Sequence, residues 1–486
     1  MRPMARNRTT RITALSATLC SLPLGGLLLW WFAFDPTADL VLHVPGMDGE
    51  PLEGREVQRE TEGVRIGEFF EIFDGYPSEL QSRWPRFRGA HFDNISRETV
   101  RLRDFSDGAG PRVLWSVELG EGHAAPAVAH GRVYLLDYDE EVGADALRSF
   151  SLDDGTELWR RWYPVEVRRN HGMSRTIPAV TDSFVVTIGP RCHVMCVDPM
   201  SGELLWTLDM EREFGTETPL WYTGQCPLID RDTVAILAPG GRALLAALHC
   251  RSGELLWETP NPRGWKMSHS SVMPMELGGR RVYVYVAQGG VVGVAADGPD
   301  RGTVLFETDE FNQSVVAASP VALEGDRIFV TSGYGGGSIL LQVRNHNGVF
   351  SVETLKRMAV TEGLASEQQT PLYHQGHLFA VLPRDAGPLR NQLVCVRADN
   401  PAEVVWSSGP RRRFGLGPYL IADNKLFLLD DRAMLTVVGV STERYVELGQ
   451  VPMLEGGVDA WGPMALAAGR LLLRDATRMI CVDVQQ

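Results

Sequence analysis

The six residues Ser201-Gly202-Glu203-Leu204-Leu205-Trp206 return letter for letter as Ser252-Gly253-Glu254-Leu255-Leu256-Trp257. A looser copy, Asp154-Gly155-Thr156-Glu157-Leu158-Trp159, precedes both. A period near 50 residues restricts the chain to a propeller, a solenoid or an array, because a unit of that size is one supersecondary motif and buries its apolar face only against its neighbours. The turn chemistry identifies the unit. Each copy is a short apolar run, an Asp-Gly or Ser-Gly turn and a second apolar run ending in Trp. Glycine at the turn supplies the positive φ of a tight hairpin, so each copy reads as the outer hairpin of a β unit.

Prolines set the count. Pro126, Pro178, Pro227, Pro274, Pro320, Pro371, Pro418 and Pro463 follow one another at spacings of 45 to 52 residues. Most precede a two-strand pattern such as Gly131-Arg132-Val133-Tyr134-Leu135-Leu136. Proline at the first residue of a strand forfeits no ladder hydrogen bond. Four strands repeated eight times predict an all-β, eight-bladed propeller. The last repeat stops at Met479-Ile480-Cys481-Val482-Asp483, one strand short, whereas Val113-Leu114-Trp115-Ser116-Val117 is an outer strand with no hairpin before it. The strand near Trp115 is therefore expected to complete the last blade and remove two exposed edges. Trp115, Trp159, Trp206, Trp257 and Trp406 close their blades and are read as structural residues packed between neighbouring sheets.

The formal net charge of −14 argues against nucleic acid as a partner. The seven cysteines form no C-x-x-C pair, and Cys196, Cys395 and Cys481 share one repeat position, which makes them small core residues. Residues 1–11 carry four arginines and no acid, and residues 12–34 are uncharged and mostly apolar. Twenty-three such residues suffice to span a bilayer, with Trp30 and Trp31 at its outer interface. The expected arrangement is a cytoplasmic basic segment (1–11), a transmembrane signal-anchor helix (12–34), a connector (35–83) and a propeller (84–486) outside the cytoplasm. The competing readings are a signal peptide cleaved after Ala38 and a lipoprotein modified at Cys20. Within the connector, the apolar patches Leu40-Val41-Leu42 and Phe69-Phe70-Glu71-Ile72-Phe73 either dock on the propeller or add a strand.

The run Cys196-Val197-Asp198-Pro199-Met200-Ser201-Gly202-Glu203-Leu204-Leu205-Trp206, with the opening Trp84-Pro85-Arg86-Phe87-Arg88-Gly89, resembles the PQQ-binding-like β-propeller repeat proteins of the quinoprotein alcohol dehydrogenase-like superfamily. The resemblance covers residues 84–486 and implies the fold. For function it points two ways. Quinoprotein alcohol dehydrogenases bind pyrroloquinoline quinone (PQQ) and calcium at the top of the channel, whereas the propeller lipoprotein of the outer-membrane barrel-assembly machinery works by protein contact. The dehydrogenases carry a vicinal cysteine pair beside the quinone, and no two cysteines here are adjacent. No calcium-ligand motif carries over, so no cofactor and no metal are expected.

Any site belongs to the segments just before each proline, which a propeller gathers around its axis. They contribute His123, His171, Arg175, Tyr222, Gln225, His269, Ser270, Gln313, Gln368 and Trp461, mostly beside Gly or Ser that lets a ligand approach. His171 and His269 suit a base or metal ligand, and Arg175 suits a carboxylate or phosphate. The bland alternative is that these strand starts are polar because they face trapped water and bond to one another. The leading expectation is a membrane-anchored binding or scaffolding module for a protein, peptide or envelope polymer, in the bacterial inner membrane with the propeller in the periplasm. A quinone- or metal-dependent oxidoreductase on the same face is the alternative.

Overall fold

The computed structural model describes residues 63–486. The basic segment 1–11, the apolar stretch 12–34 and most of the connector lie outside the described residues. Among the described residues, no helix is long and apolar enough to cross a membrane.

Among the described residues, eight antiparallel sheets follow one another, seven of four strands and one of five. Blade one holds Ala127–Ala129, Arg132–Asp139, Ala144–Ser151 and Glu157–Pro164 in meander order. Phe69–Ile72 adds a fifth, outermost strand, with Phe69 opposite Trp162 and their rings stacked at 5.5 Å. Part of the connector thus covers the outer edge of the first blade. Blade eight holds Ala465–Ala467, Arg470–Arg474 and Arg478–Asp483, and Arg112–Glu118 completes it from the other end of the chain. In that pairing Trp115 faces Cys481. The ring is closed by hydrogen bonds within one sheet, so neither end of the repeat array is left as an unpaired edge.

Neighbouring blades are joined by the residues of the repeated motif. A Cβ placed on Gly155, Gly202, Gly253 or Gly302 would lie 2.7 to 2.9 Å from the rings of Trp115, Trp159, Trp206 and Trp257, respectively. Each tryptophan therefore rests on the turn glycine of the next blade. All four glycines have φ between +71° and +84°, so the position needs glycine for its backbone as well as for the ring above it. Two indole N–H groups add a bond across the same junction. Trp115 donates to the Leu152 carbonyl at 3.0 Å and Trp206 to the Cys250 carbonyl at 2.6 Å. In blade four Phe306 takes the outer-strand position, and Trp257 stacks on Tyr283 of that blade at 6.2 Å.

The stretch before blade one runs across one end of the axis. Trp84 exchanges backbone hydrogen bonds with Val128 of blade one, and Val180 of blade two donates to the Pro85 carbonyl. Arg86 donates to the Ile229 carbonyl in blade three, and Arg88 reaches Thr370 and Pro371 at the start of blade six. Asn94 donates to Tyr419 of blade seven. These partners belong to innermost strands or the residues that enter them, so the segment bridges the channel and floors it. Arg88 is buried, and that burial lowers its pKa to about 10, while its guanidinium holds three backbone carbonyls.

Gly253→Ala is expected to destabilise the protein by about 2–4 kcal/mol, the sum of a left-handed backbone (~1–2 kcal/mol) and displacement of the Trp206 ring. Gly376 has nearly the same φ, +72°, and open space where its Cβ would stand. Gly376→Ala is expected to cost only the backbone part, about 1 kcal/mol. Urea midpoints of the two variants measure the difference.

Candidate functional site

The waist of the channel is a chain of hydrogen bonds passed from blade to blade. The Ile177 amide donates to Cys226 Sγ at 3.3 Å, and the Cys226 amide to Ser271 Oγ at 3.0 Å. The Ser271 amide donates to Ser319 Oγ and the Ser319 amide to Thr370 Oγ1, each at 2.9 Å. Each amide belongs to the stretch entering an innermost strand, where no fifth strand exists to accept it, so a side chain of the next blade does. Across blades seven, eight and one the residues before proline are Gly417, Gly462 and Ala125, which lack such an acceptor. A Cβ on Gly417 would overlap the Leu429 carbonyl, and one on Gly462 would meet Arg474 at 2.9 Å.

Above the waist lies a cavity of about 130 Å³. Phe87, Arg88 and Asn94 line it together with the apolar side chains Ile177, Val315 and Ala317. His123, Arg175, Trp221, His269, Tyr334, Glu367, Gln368 and Trp461 complete the wall. Trp221 stacks on Tyr334 at 5.8 Å, which brings blades three and five together. The His123 ring lies 5.0 Å from that of Trp461. Glu367 is buried, and that burial raises its pKa although Arg384 reaches it at 3.3 Å.

Four buried polar atoms of this wall have no hydrogen-bond partner: His123 Nδ1, Arg175 Nε, Trp221 Nε1 and His269 Nδ1. Such groups are exceptional in a folded protein, because each costs about 1–3 kcal/mol of uncompensated desolvation. Burial, followed by the charge of Arg175, pushes the His123 pKa down to about 3 and that of His269 to about 4. Both imidazoles are neutral at neutral pH.

His123, Arg175, His269, Gln368 and Trp461 share this cavity. The other residues named from the sequence are not among its lining residues. His171 is exposed at φ +50° and contributes its carbonyl, which accepts from Arg175 Nη2 at 2.7 Å. The Tyr222 hydroxyl bonds to the Arg168 backbone. Gln225 is fully buried and clamps the Ala238 amide and carbonyl inside blade three. Ser270 is buried beside Ser268, and Gln313 lies near the Gly336 turn. Trp221, Tyr334 and Glu367 are not among the residues singled out from the sequence, although Trp221 and Glu367 lie in the same pre-proline segments as those that are. Tyr334 sits in a glycine-rich hairpin. Nearness to the strand ends that enter the channel is the one available signal.

The family model described as outer membrane protein assembly factor BamB matches residues 143–408, more than half of the chain. No curated protein sequence matches it. BamB from Moraxella catarrhalis superposes with a TM-score of 0.50 at 11% identity, over 77% of this chain and 100% of that one. The computationally designed Ika8 protein gives 0.50 at 12% identity, over 77% and 100%. Quinohemoprotein alcohol dehydrogenase from Comamonas testosteroni gives 0.42 at 12%, over 83% and 81%. At these identities the likeness concerns the fold.

Calcium takes six to eight oxygen ligands. The wall offers one carboxylate, Glu367, which Arg384 reaches at 3.3 Å, with amide and hydroxyl oxygens from Asn94, Gln368, Gln369, Ser271 and Thr370. Among the described residues, no group of three or more His, Cys, Asp or Glu is placed to hold a metal ion.

The two histidines have a consequence for stability. An unfolded histidine takes a proton near pH 6.5, and the folded ones remain neutral down to about 4 and about 3. The unfolded chain binds more protons in that window, so stability is lost as pH falls from 6.5 toward 4. Each histidine contributes about 1.4 kcal/mol per pH unit to the slope. The His123→Gln, His269→Gln double variant is expected to flatten this limb relative to the parent when urea midpoints are compared at pH 7 and pH 5.

Proposed function

The chain belongs to the PQQ-like propeller family to which that BamB model applies, and on this premise we propose that it is a binding or scaffolding module of the cell envelope. A segment of a partner protein or an envelope polymer enters the axial funnel. The observation that carries this reading is the clustering of unpartnered polar atoms around one cavity, rimmed by Trp221, Tyr334 and Trp461. Aromatic rims with a few unmet polar groups beneath them are the usual composition of recognition sites. The floor built by Phe87, Arg88 and Asn94 makes the funnel one-ended, which suits holding a segment better than passing one through. On this reading the propeller lies in the periplasm, with residues 12–34 as its anchor.

The competing reading, a quinone-dependent oxidoreductase, uses the same face and is separable by experiment. A photocrosslinking residue is introduced at Gln368 or at Tyr334 in the full-length protein, with an outer-strand control at Val349, which is exposed. Illumination of intact cells is expected to give one discrete adduct from each funnel position and none from Val349. Purified protein is expected to show no saturable rise in its unfolding midpoint with pyrroloquinoline quinone and calcium, since a ligand that binds only the folded state must raise it. No adduct together with a saturable rise and a bound quinone absorbance would replace the binding-module reading with the oxidoreductase.

A further inference from the structure

We propose that the funnel recognises the free C-terminal carboxylate of an extended peptide whose last side chain is apolar. This rests on the reading of the propeller as a binding module and names what it binds. The unmet groups carry a direction. Arg175 Nε and Trp221 Nε1 are donors in every protonation state, and both are buried without a partner. His123 is different. Its Nε2 lies 3.1 Å from the His171 carbonyl, which only accepts, so Nε2 bears the hydrogen and Nδ1 is left as an acceptor. The site therefore asks for a ligand with an acceptor of charge-assisted strength and, close by, one donor. A C-terminal residue has both, in its carboxylate and its own backbone N–H.

Charge and volume agree. Arg175 spends Nη2 on the carbonyls of Asn170, His171 and Gly172, so its hydrogen-bond partners include no acid, and the carboxylate that acts on its charge, Glu121, does so without a hydrogen bond. His123 and His269 are 8% exposed, too enclosed for water to serve them freely. The cavity of about 130 Å³ is smaller than the ~300–1,000 Å³ of sites for drug-sized ligands, and it has room for about one side chain. Phe87, Ile177, Val315 and Ala317 give that side chain an apolar wall. An aspartate or glutamate within a chain would supply the carboxylate but leave this wall against a polar stem.

The test is a calorimetric titration of the full-length protein with three pools of acetylated hexapeptides. One pool ends in Leu, Val or Phe as the free acid. The second is the same pool as C-terminal amides. The third is the amide pool with Glu at the penultimate position. The free-acid pool is expected to bind at least tenfold more tightly than either amide pool. Trp221→Phe keeps a smaller aromatic ring against Tyr334 and removes the N–H, and it is expected to weaken the acid about tenfold or more while changing the amide far less. Arg175→Lys, which removes Nε and retains charge, is expected to act in the same direction. Equal binding of acid and amide overturns carboxylate recognition and leaves the binding module standing. Tighter binding of the Glu-containing amides overturns the terminal source of the carboxylate. Binding of no pool overturns the proposal, and the crosslinking experiment then judges the module independently.

Discussion

The contact on which the ring depends is a tryptophan lying on a glycine of the next blade. Trp115 on Gly155, Trp159 on Gly202, Trp206 on Gly253 and Trp257 on Gly302 repeat one geometry across four successive junctions. A propeller blade is a twisted sheet whose faces are apolar, and nothing in the sheet itself sets how closely two blades approach. A flat ring pressed onto a residue without a Cβ sets that distance, and an indole N–H bonded across the junction also sets the angle. The turn glycine is thus required twice, once by its positive φ and once by the ring above it.

Where this lock weakens, other contacts take over. Blade four has Phe306 in the outer-strand position, and blade six sends Trp406 to the Ser441 carbonyl in blade seven. Blade one carries a fifth strand instead of a bare edge, with Phe70 packed beside Trp159 and over Gly202. The floor segment ties together blades that lie far apart around the ring. Arg88 alone joins Phe92 to the entry of blade six through three carbonyls. A buried guanidinium is tolerable only with acceptors arranged in this way.

The funnel reverses this economy. At the waist the amides of Ile177, Cys226, Ser271 and Ser319 each find a side-chain acceptor in the next blade. A few residues higher, His123, Arg175, Trp221 and His269 keep polar atoms with no partner. The waist answers to the bland expectation that polar strand starts bond to one another. The mouth does not, and the proposed ligand site rests on that difference between the two levels.

The eightfold repeat, the hairpin at each Asp-Gly or Ser-Gly and the closing strand at Trp115 were all legible in the chain, because they follow from local turn chemistry and from counting strands. The pairing of the Trp115 strand with the last strand of the chain needs only the observation that one end has a spare strand and the other lacks one, whereas the register that sets Trp115 against Cys481 does not follow from it. The partners of the tryptophans were not legible, since the glycine that each ring covers lies 40 to 47 residues away in the next unit. Nor was the division of the polar strand starts into His123, Arg175, His269, Gln368 and Trp461 in the cavity, with Gln225 turned into its blade and His171 out to solvent. Those orientations depend on side-chain direction at left-handed positions such as His171 and Trp221. Composition and periodicity determine how many blades there are and what each is made of, because those are properties of one repeat. Which side chains meet at the axis is decided only when all eight repeats and the floor segment are assembled, because no single repeat contains the site.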